Sequence, residues 1–254
     1  MDGYIQKLRQ KYDHPNPKKP QFLPHVKRTI DYGANQQIAD PEDTVNLLDT
    51  KGIRRVQGIL GSLKYVARAV NNKLIVALST IGNQQATATA NKNTAITQLL
   101  DYVATYPYGG ILLRASGMVL ASHTDAGFLN ETKTRSRAGA HIFLTEYVAP
   151  PPLNGTILTI AKIIKHVMAS AAEAELAALY ITSKTMVPIY NTLEEMGWPQ
   201  PKSPIQTDNS TASGFTGNTI INKAIKSLDM KLWWLPDREL QDQFKYYWSP
   251  GQEN

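Results

Sequence analysis

The sequence predicts a mixed α/β protein: a sheet flanked by helices, preceded by a small helical unit. Two observations carry this. Between residues 51 and 105 apolar residues recur at spacings of three and four, the mark of amphipathic helices, with no alternating stretch among them. From residue 110 onward short apolar, β-branched runs are followed by one long helical pattern, then by another strand, helix and strand, which suits a sheet covered by helices. A composition 42% apolar supplies a core, and 254 residues allow one large domain or two small ones.

Taken in order, residues 1–12 predict a short helix. Residues 13–50 predict an irregular arm, punctuated by Pro15, Pro17, Pro20, Pro24 and Pro41 and charged at Lys18-Lys19. Residues 51–107 form the helical unit. Its first helix carries Ile53, Val56, Ile59, Leu60, Leu63, Val66, Ala67 and Val70 on one stripe, with Arg54, Arg55, Lys64 and Arg68 mostly off it. A second helix is expected over Leu74–Gln84. A third covers Asn93–Thr105, with Ile96, Leu99, Leu100 and Val103 inward.

Residues 108–254 change character. Ile111–Arg114 and Met118–Leu120 read as strands around a Ser116-Gly117 turn, and Gly139–Leu144 and Thr156–Ile164 as two more. A long helix follows from about Ala171, where Ser170 and Glu173 make a capping-box pattern. Pro188 is expected to kink or end it. A short strand through Pro204–Thr207, a helix over residues 222–241 and a last strand over Phe244–Trp248 complete the chain.

Composition excludes several classes of function. Without cysteine there are no disulfides and no thiolate zinc sites. No apolar run is long enough to cross a bilayer, and the N-terminus lacks a signal-peptide pattern, so no membrane partner is expected and the chain is expected to be intracellular, not secreted. The net charge of +6 lies entirely upstream: residues 1–105 hold 14 Lys/Arg and 8 Asp/Glu, residues 106–254 hold 13 of each. Such an excess favours polyanionic ligands.

Three acids stand out: Asp125 in Ser122-His123-Thr124-Asp125-Ala126-Gly127, Glu175 in Ala172-Glu173-Ala174-Glu175-Leu176, and Asp208 in Thr207-Asp208-Asn209. Singly, each has an ordinary explanation: a turn residue before Ala126-Gly127, a helix-start acid favoured by the macrodipole, and an N-cap. Together they are two strand-end carboxylates and one on a helix, a set suited to divalent metal. Glu173 and Glu175 point about 200° apart. The helical wheel separates them little, but the capping pattern already occupies Glu173, leaving Glu175 for metal. His123 shares the Asp125 face. Trp233-Trp234 with Lys226, Lys231 and Arg238 reads either as a base-stacking patch or as an aromatic pair packing a late helix.

These words, in this order, resemble the polyprotein of copia-type retrotransposons. Gln57–Tyr65 and Leu99–Tyr102 resemble its reverse transcriptase thumb and connection region. Asp125, the Arg135–Gly139 word, Ala172–Leu176 and Thr207–Asn209 resemble its ribonuclease H domain. The resemblance implies a ribonuclease H-like fold and hydrolysis of the RNA strand of RNA–DNA hybrids by two Mg²⁺ (or Mn²⁺) ions. Asp125, Glu175 and Asp208 would hold them, and 2′-hydroxyl contacts, one of them from Glu175, would select RNA. Ser170 and Asn209 become candidate nucleic-acid contacts that are equally candidate caps; Arg54, Arg55, Lys64 and Arg68 become candidate backbone contacts. The implied partners are an RNA–DNA hybrid and the remainder of a reverse transcriptase polyprotein, in a cytoplasmic particle or the nucleus.

Two departures qualify this. The paired-aspartate word of the polymerase is absent, so no polymerase activity is expected and the chain reads as part of a longer polyprotein. The family's fourth catalytic aspartate, on a last helix, lies beyond Asn254, and Asp229, Asp237, Asp242 and Glu253 do not match it. The expected function is therefore a ribonuclease H-type nuclease impaired in metal binding by loss of the fourth acid, and the alternatives are a catalytically dead nucleic-acid-binding module and a retroelement remnant.

Overall fold

In the computed structural model, residues 3–26, 47–83, 85–210 and 229–250 are described, with the backbone alone for 229–232. The expectations for Gln84, for residues 222–228, and for the side chains of Lys226 and Lys231 lie outside these. The chain divides into two compact units, meeting in sequence at Ile111 and Leu112.

The first unit is helical: α1 (Tyr4–Lys11), α2 (Thr50–Ala69), α3 (Ile75–Gly82) and α4 (Ala90–Thr105), with a 3₁₀ turn over Asn72–Leu74 leading into α3. Asp49 caps α2 by accepting from the Gly52 amide at 2.7 Å. The apolar stripe of α2 (Val56, Ile59, Leu60, Leu63, Val66, Ala67) packs with Leu74, Ala77, Ile81, Ile96, Leu99, Leu100 and Val103 into one core. Each fully buried Leu or Ile stabilises it by about 1.5–3 kcal/mol. Residues 13–26 form no helix or strand, yet they are tied to α4. His14 Nε2 meets Asp101 Oδ1 at 2.7 Å, and the Gln21 amide donates to Thr105 Oγ1 at 3.0 Å.

The second unit is a five-stranded sheet in the order β3-β2-β1-β4-β5, where β1 is Val119–Glu131, β2 Arg135–Thr145, β3 Thr156–Ile163, β4 Ser203–Thr207 and β5 Phe244–Trp248. The first three strands are antiparallel; β4 is parallel to β1 and β5 to β4. Helices α5 (Ala171–Glu195) and α6 (Asp229–Leu240) complete it. Leu120 and Ile142 of the sheet meet Leu176, Leu179, Met186 and Tyr190 of α5 in a core shared with Ile205, Leu235 and Phe244. Alternation along β1 sends Ser122 and Thr124 to that buried side, where Thr124 Oγ1 lies 3.2 Å from Thr182 Oγ1. His123 and Asp125 therefore take the opposite face.

Two expectations are corrected, and a third, that Pro188 kinks or ends α5, is narrowed. Ile111–Arg114 is not a strand; β1 begins at Val119. The Asn154 carboxamide does a neighbouring strand's work there, accepting from the Arg114 amide at 2.8 Å and donating to the Arg114 carbonyl at 2.9 Å. Leu112 and Leu113 stay 68% and 61% exposed, so no apolar burial drives pairing. Pro188 does not end α5, which runs on to Glu195. Pro188 and Lys184, whose carbonyl has no Pro188 amide to accept from, are both exposed, so that carbonyl is open to solvent and the missing bond need not break the helix. Finally, Asp125 is not at a strand end or in a turn; β1 continues six residues past it, paired with β2 as far as Glu131 and Arg135.

Candidate metal centre

Each of the three acids is placed by a different constraint. Asp125 sits opposite Gly139 in the β1–β2 ladder, so the cross-strand position that would crowd its carboxylate has no side chain. Glu175 lies near the start of α5, whose entry is fixed by its cap. Ser170 Oγ accepts from the Glu173 amide at 3.2 Å, and Glu173 Oε2 accepts from the Ala169 amide at 2.7 Å. Ser170 and Glu173 are thus occupied in capping. Asp208 follows β4 directly, in a bend whose carbonyl accepts from Trp248 Nε1 at 2.9 Å.

The three carboxylates converge. One oxygen from each of Asp125, Glu175 and Asp208 lies within 4.8 Å of the others, with Asp125 exposed, Glu175 buried and Asp208 half-buried. Glu175 Oε1 accepts from the Ala126 amide at 3.0 Å, which ties the helix to the strand beside Asp125. Glu175 Oε2 is buried with no hydrogen-bond partner among the described residues. Burial, then the charges of Asp125 and Asp208, push the Glu175 carboxyl up to about 8. Burial and then Asp125 raise that of Asp208. Carboxyl groups held this close resist ionising together, and a cation among them would favour the ionised form of all three. An all-oxygen donor set fits a hard divalent ion such as Mg²⁺ or Mn²⁺.

The other candidates do not share this site. His123 stacks edge-on against Phe143 at 5.3 Å, and its pKa is lowered by burial and then by His141. Asn209 is half-buried, its amide 3.4 Å from Thr207 Oγ1. Of the basic four on α2, Arg54, Lys64 and Arg68 are exposed and fall within an arc of about 80°. Arg55 turns away, donating to Asn93 Oδ1 of α4 at 3.2 Å. The tryptophans also part company: Trp233 is 73% exposed, whereas Trp234 packs edge-on against Tyr180 at 5.4 Å, under Arg238.

The sequence reading passed over Gln206. It lies beside His123 in the β1–β4 register, accepts from Tyr247 Oη at 3.2 Å, and is 4% exposed with its Nε2 unpartnered among the described residues. It forms a polar rung beneath the acids. Gln in a Pro-Ile-Gln-Thr strand gives no sign of this in sequence.

No family model and no curated protein matches the sequence. Among solved structures the chain is similar to LC11-RNase H1, isolated from compost, with a TM-score of 0.41 and 14% identity over 54% of this chain and 88% of that one. It is similar to the same protein in complex with an RNA/DNA hybrid, with a TM-score of 0.40 and 13% identity over 53% and 88%. It is also similar to the foamy viral protease-reverse transcriptase in complex with an RNA/DNA hybrid, with a TM-score of 0.50 and 10% identity over 99% of this chain and 27% of that one. These likenesses concern the fold. The fold class expected from the sequence, a ribonuclease H-like mixed sheet flanked by helices, is the one observed.

Proposed function

We propose that this chain is a ribonuclease H-type hydrolase of copia-type retroelement origin, acting on the RNA strand of RNA–DNA hybrids. One observation carries the reading: three carboxylates from three separate elements converge to within 4.8 Å. Two Mg²⁺ or Mn²⁺ ions, when bound, would supply an activated water and charge stabilisation for phosphodiester cleavage. Asp125, exposed and paired with Gly139, would offer a metal ligand that a bulky polyanion can approach. Glu175, held through Ala126, brings a carboxylate oxygen to the same cluster. Asp208 closes the set from β4. The exposed face of α2 bearing Arg54, Lys64 and Arg68 would engage phosphates without reading sequence. The proposed setting is a reverse transcriptase polyprotein in a cytoplasmic particle or the nucleus.

The test is cleavage of a labelled RNA–DNA hybrid in Mg²⁺ or Mn²⁺, with Asp125→Asn run alongside. Cleavage that the substitution abolishes supports the reading; cleavage that survives it refutes it. A second reading, hybrid binding without catalysis, draws on the same basic face of α2. It expects salt-sensitive binding with no cleavage by either protein.

A further inference from the structure

The helical unit holds a cavity of about 450 Å³ that the acids play no part in. It is bounded by the start of α1, the end of α2 and the loop that follows α4. Its floor is apolar: Val66 and Val103 line it at 4% and 1% exposure. One wall is polar and unfinished. Asn71 is 7% exposed and its backbone is bonded, the amide to the Val66 carbonyl at 2.9 Å and the carbonyl to the Leu74 amide at 3.3 Å. Its carboxamide stands at the edge of the cavity, directly beside Gly109. Arg9 lines the same space: its Nη2 holds Asn16 Oδ1 at 2.7 Å, while its Nε is buried and unpartnered among the described residues. A buried guanidinium N–H left without a partner costs free energy that a ligand can return.

The rim identifies the ligand's shape. Tyr106 and Tyr108 border the cavity at 44% and 90% exposure. The loop carrying them closes down because residue 109 is glycine; any side chain there would run into the Asn71 carboxamide. The volume suits one small molecule. An exposed aromatic rim, an apolar floor, one carboxamide offering both donor and acceptor, and a guanidinium are complementary to a flat heterocycle bearing an anionic group. Carboxamides pair with base edges, and tyrosines stack on base faces. We infer that this cavity binds a nucleobase with its 5′-phosphate, the base edge on Asn71, its face on the Tyr106–Tyr108 rim and the phosphate at Arg9. The nucleotide is either free or an unpaired residue of a strand. The inference does not rest on the hydrolase reading, since none of its residues belongs to the metal centre.

The test uses the whole chain in EDTA, so that the acids bind no metal. AMP, ribose 5-phosphate and a single-stranded oligoribonucleotide carrying 5-iodouridine are titrated by calorimetry, and the oligonucleotide is also photocrosslinked. Saturable AMP binding that ribose 5-phosphate does not match supports the site. So does a crosslink within Tyr106–Gly110. AMP alone binding identifies a free nucleotide as the source; the oligonucleotide alone identifies a strand. Asn71→Ala and Tyr108→Ala should each weaken binding by about tenfold. Tyr108, being almost wholly exposed, tests the site without endangering the fold. Asp125→Asn should change nothing. Ribose 5-phosphate binding as well as AMP, loss of binding in Asp125→Asn, an unaffected Tyr108→Ala, or no binding of either probe would overturn the inference, and none of these would bear on hybrid cleavage.

Discussion

Replacing Glu175 by Gln should stabilise the metal-free protein while destroying its metal response. Oε1 would keep the Ala126 amide, and an amide nitrogen would replace the unpartnered Oε2, turning a repelled acceptor into a donor beside Asp125 and Asp208. The Glu175 carboxyl is raised from the usual 4.5 to about 8 in the folded state. Folding therefore takes up a proton. The stability linked to this group is fully present below about 4.5 and is lost as pH rises through about 8. At about 1.4 kcal/mol per unit, the full rise corresponds to roughly 4–5 kcal/mol. Water reaching the exposed Asp125 side of the site screens it, which leaves about 2 kcal/mol at pH 8 or above. For a chain of this size that is a Tm about 4–8 °C higher for the variant in EDTA. The assay is thermal unfolding of both proteins from pH 5 to 9, with and without Mg²⁺. The gap should open with pH, and Mg²⁺ should raise the Tm of the wild type alone, since metal binding needs ionised ligands. A variant no more stable than wild type at pH 8 in EDTA would show that the three charges are not in conflict.

Gly139→Val should keep the fold, because a Cβ there meets nothing nearer than the Asp125 carbonyl oxygen at 3.7 Å. Its branched side chain would nevertheless crowd the Asp125 carboxylate, and hybrid cleavage should fall by roughly tenfold or more with little change in Tm. Neutralising Arg54, Lys64 and Arg68 together should flatten the salt dependence of hybrid affinity by about three units of slope. Arg55→Gln, whose partner is Asn93, should leave that slope unchanged. Ser170→Ala removes the cap of α5 and should cost about 1 kcal/mol, read as a lower urea midpoint at unchanged m-value.

The helices of the first unit were legible because burial on one side forces a period that survives in sequence; Val56 to Ala67 is such a stripe. The acids were legible only as an ordered set of words, and their surroundings misled. Asp125 before Ala126-Gly127 looks like a turn, and only the far strand shows otherwise: the ladder from Val119–Thr145 to Gly127–Arg137 holds it in extended backbone. The hairpin joining β1 to β2 hides for a related reason. It turns on Lys133 and Thr134, both at positive φ, with no glycine to announce it. Asn154 replacing a strand partner and Arg55 turning toward Asn93 are contacts across 40 and 38 residues, invisible to any local pattern.

The core and the metal centre are specified by the same register. Strand side chains alternate, so shifting β1 by one residue against β2 and β4 would exchange Asp125 with Thr124. The carboxylate would then face α5, where Thr124 now meets Thr182 among Leu120, Ile142 and Leu179. An unpaired buried charge there costs several kcal/mol, and Leu120 would swing out of the core in the same step. The rotation of α5 is pinned in the same way. Leu176, Leu179, Met186 and Tyr190 must face the sheet, and with them in place Glu175 comes to the Ala126 amide at the edge of that contact. Apolar burial therefore brings the three carboxyl groups together, and once Glu175 ionises, at about pH 8, it does so against their mutual repulsion. A site assembled at that cost stands ready to bind a cation without first rearranging the fold.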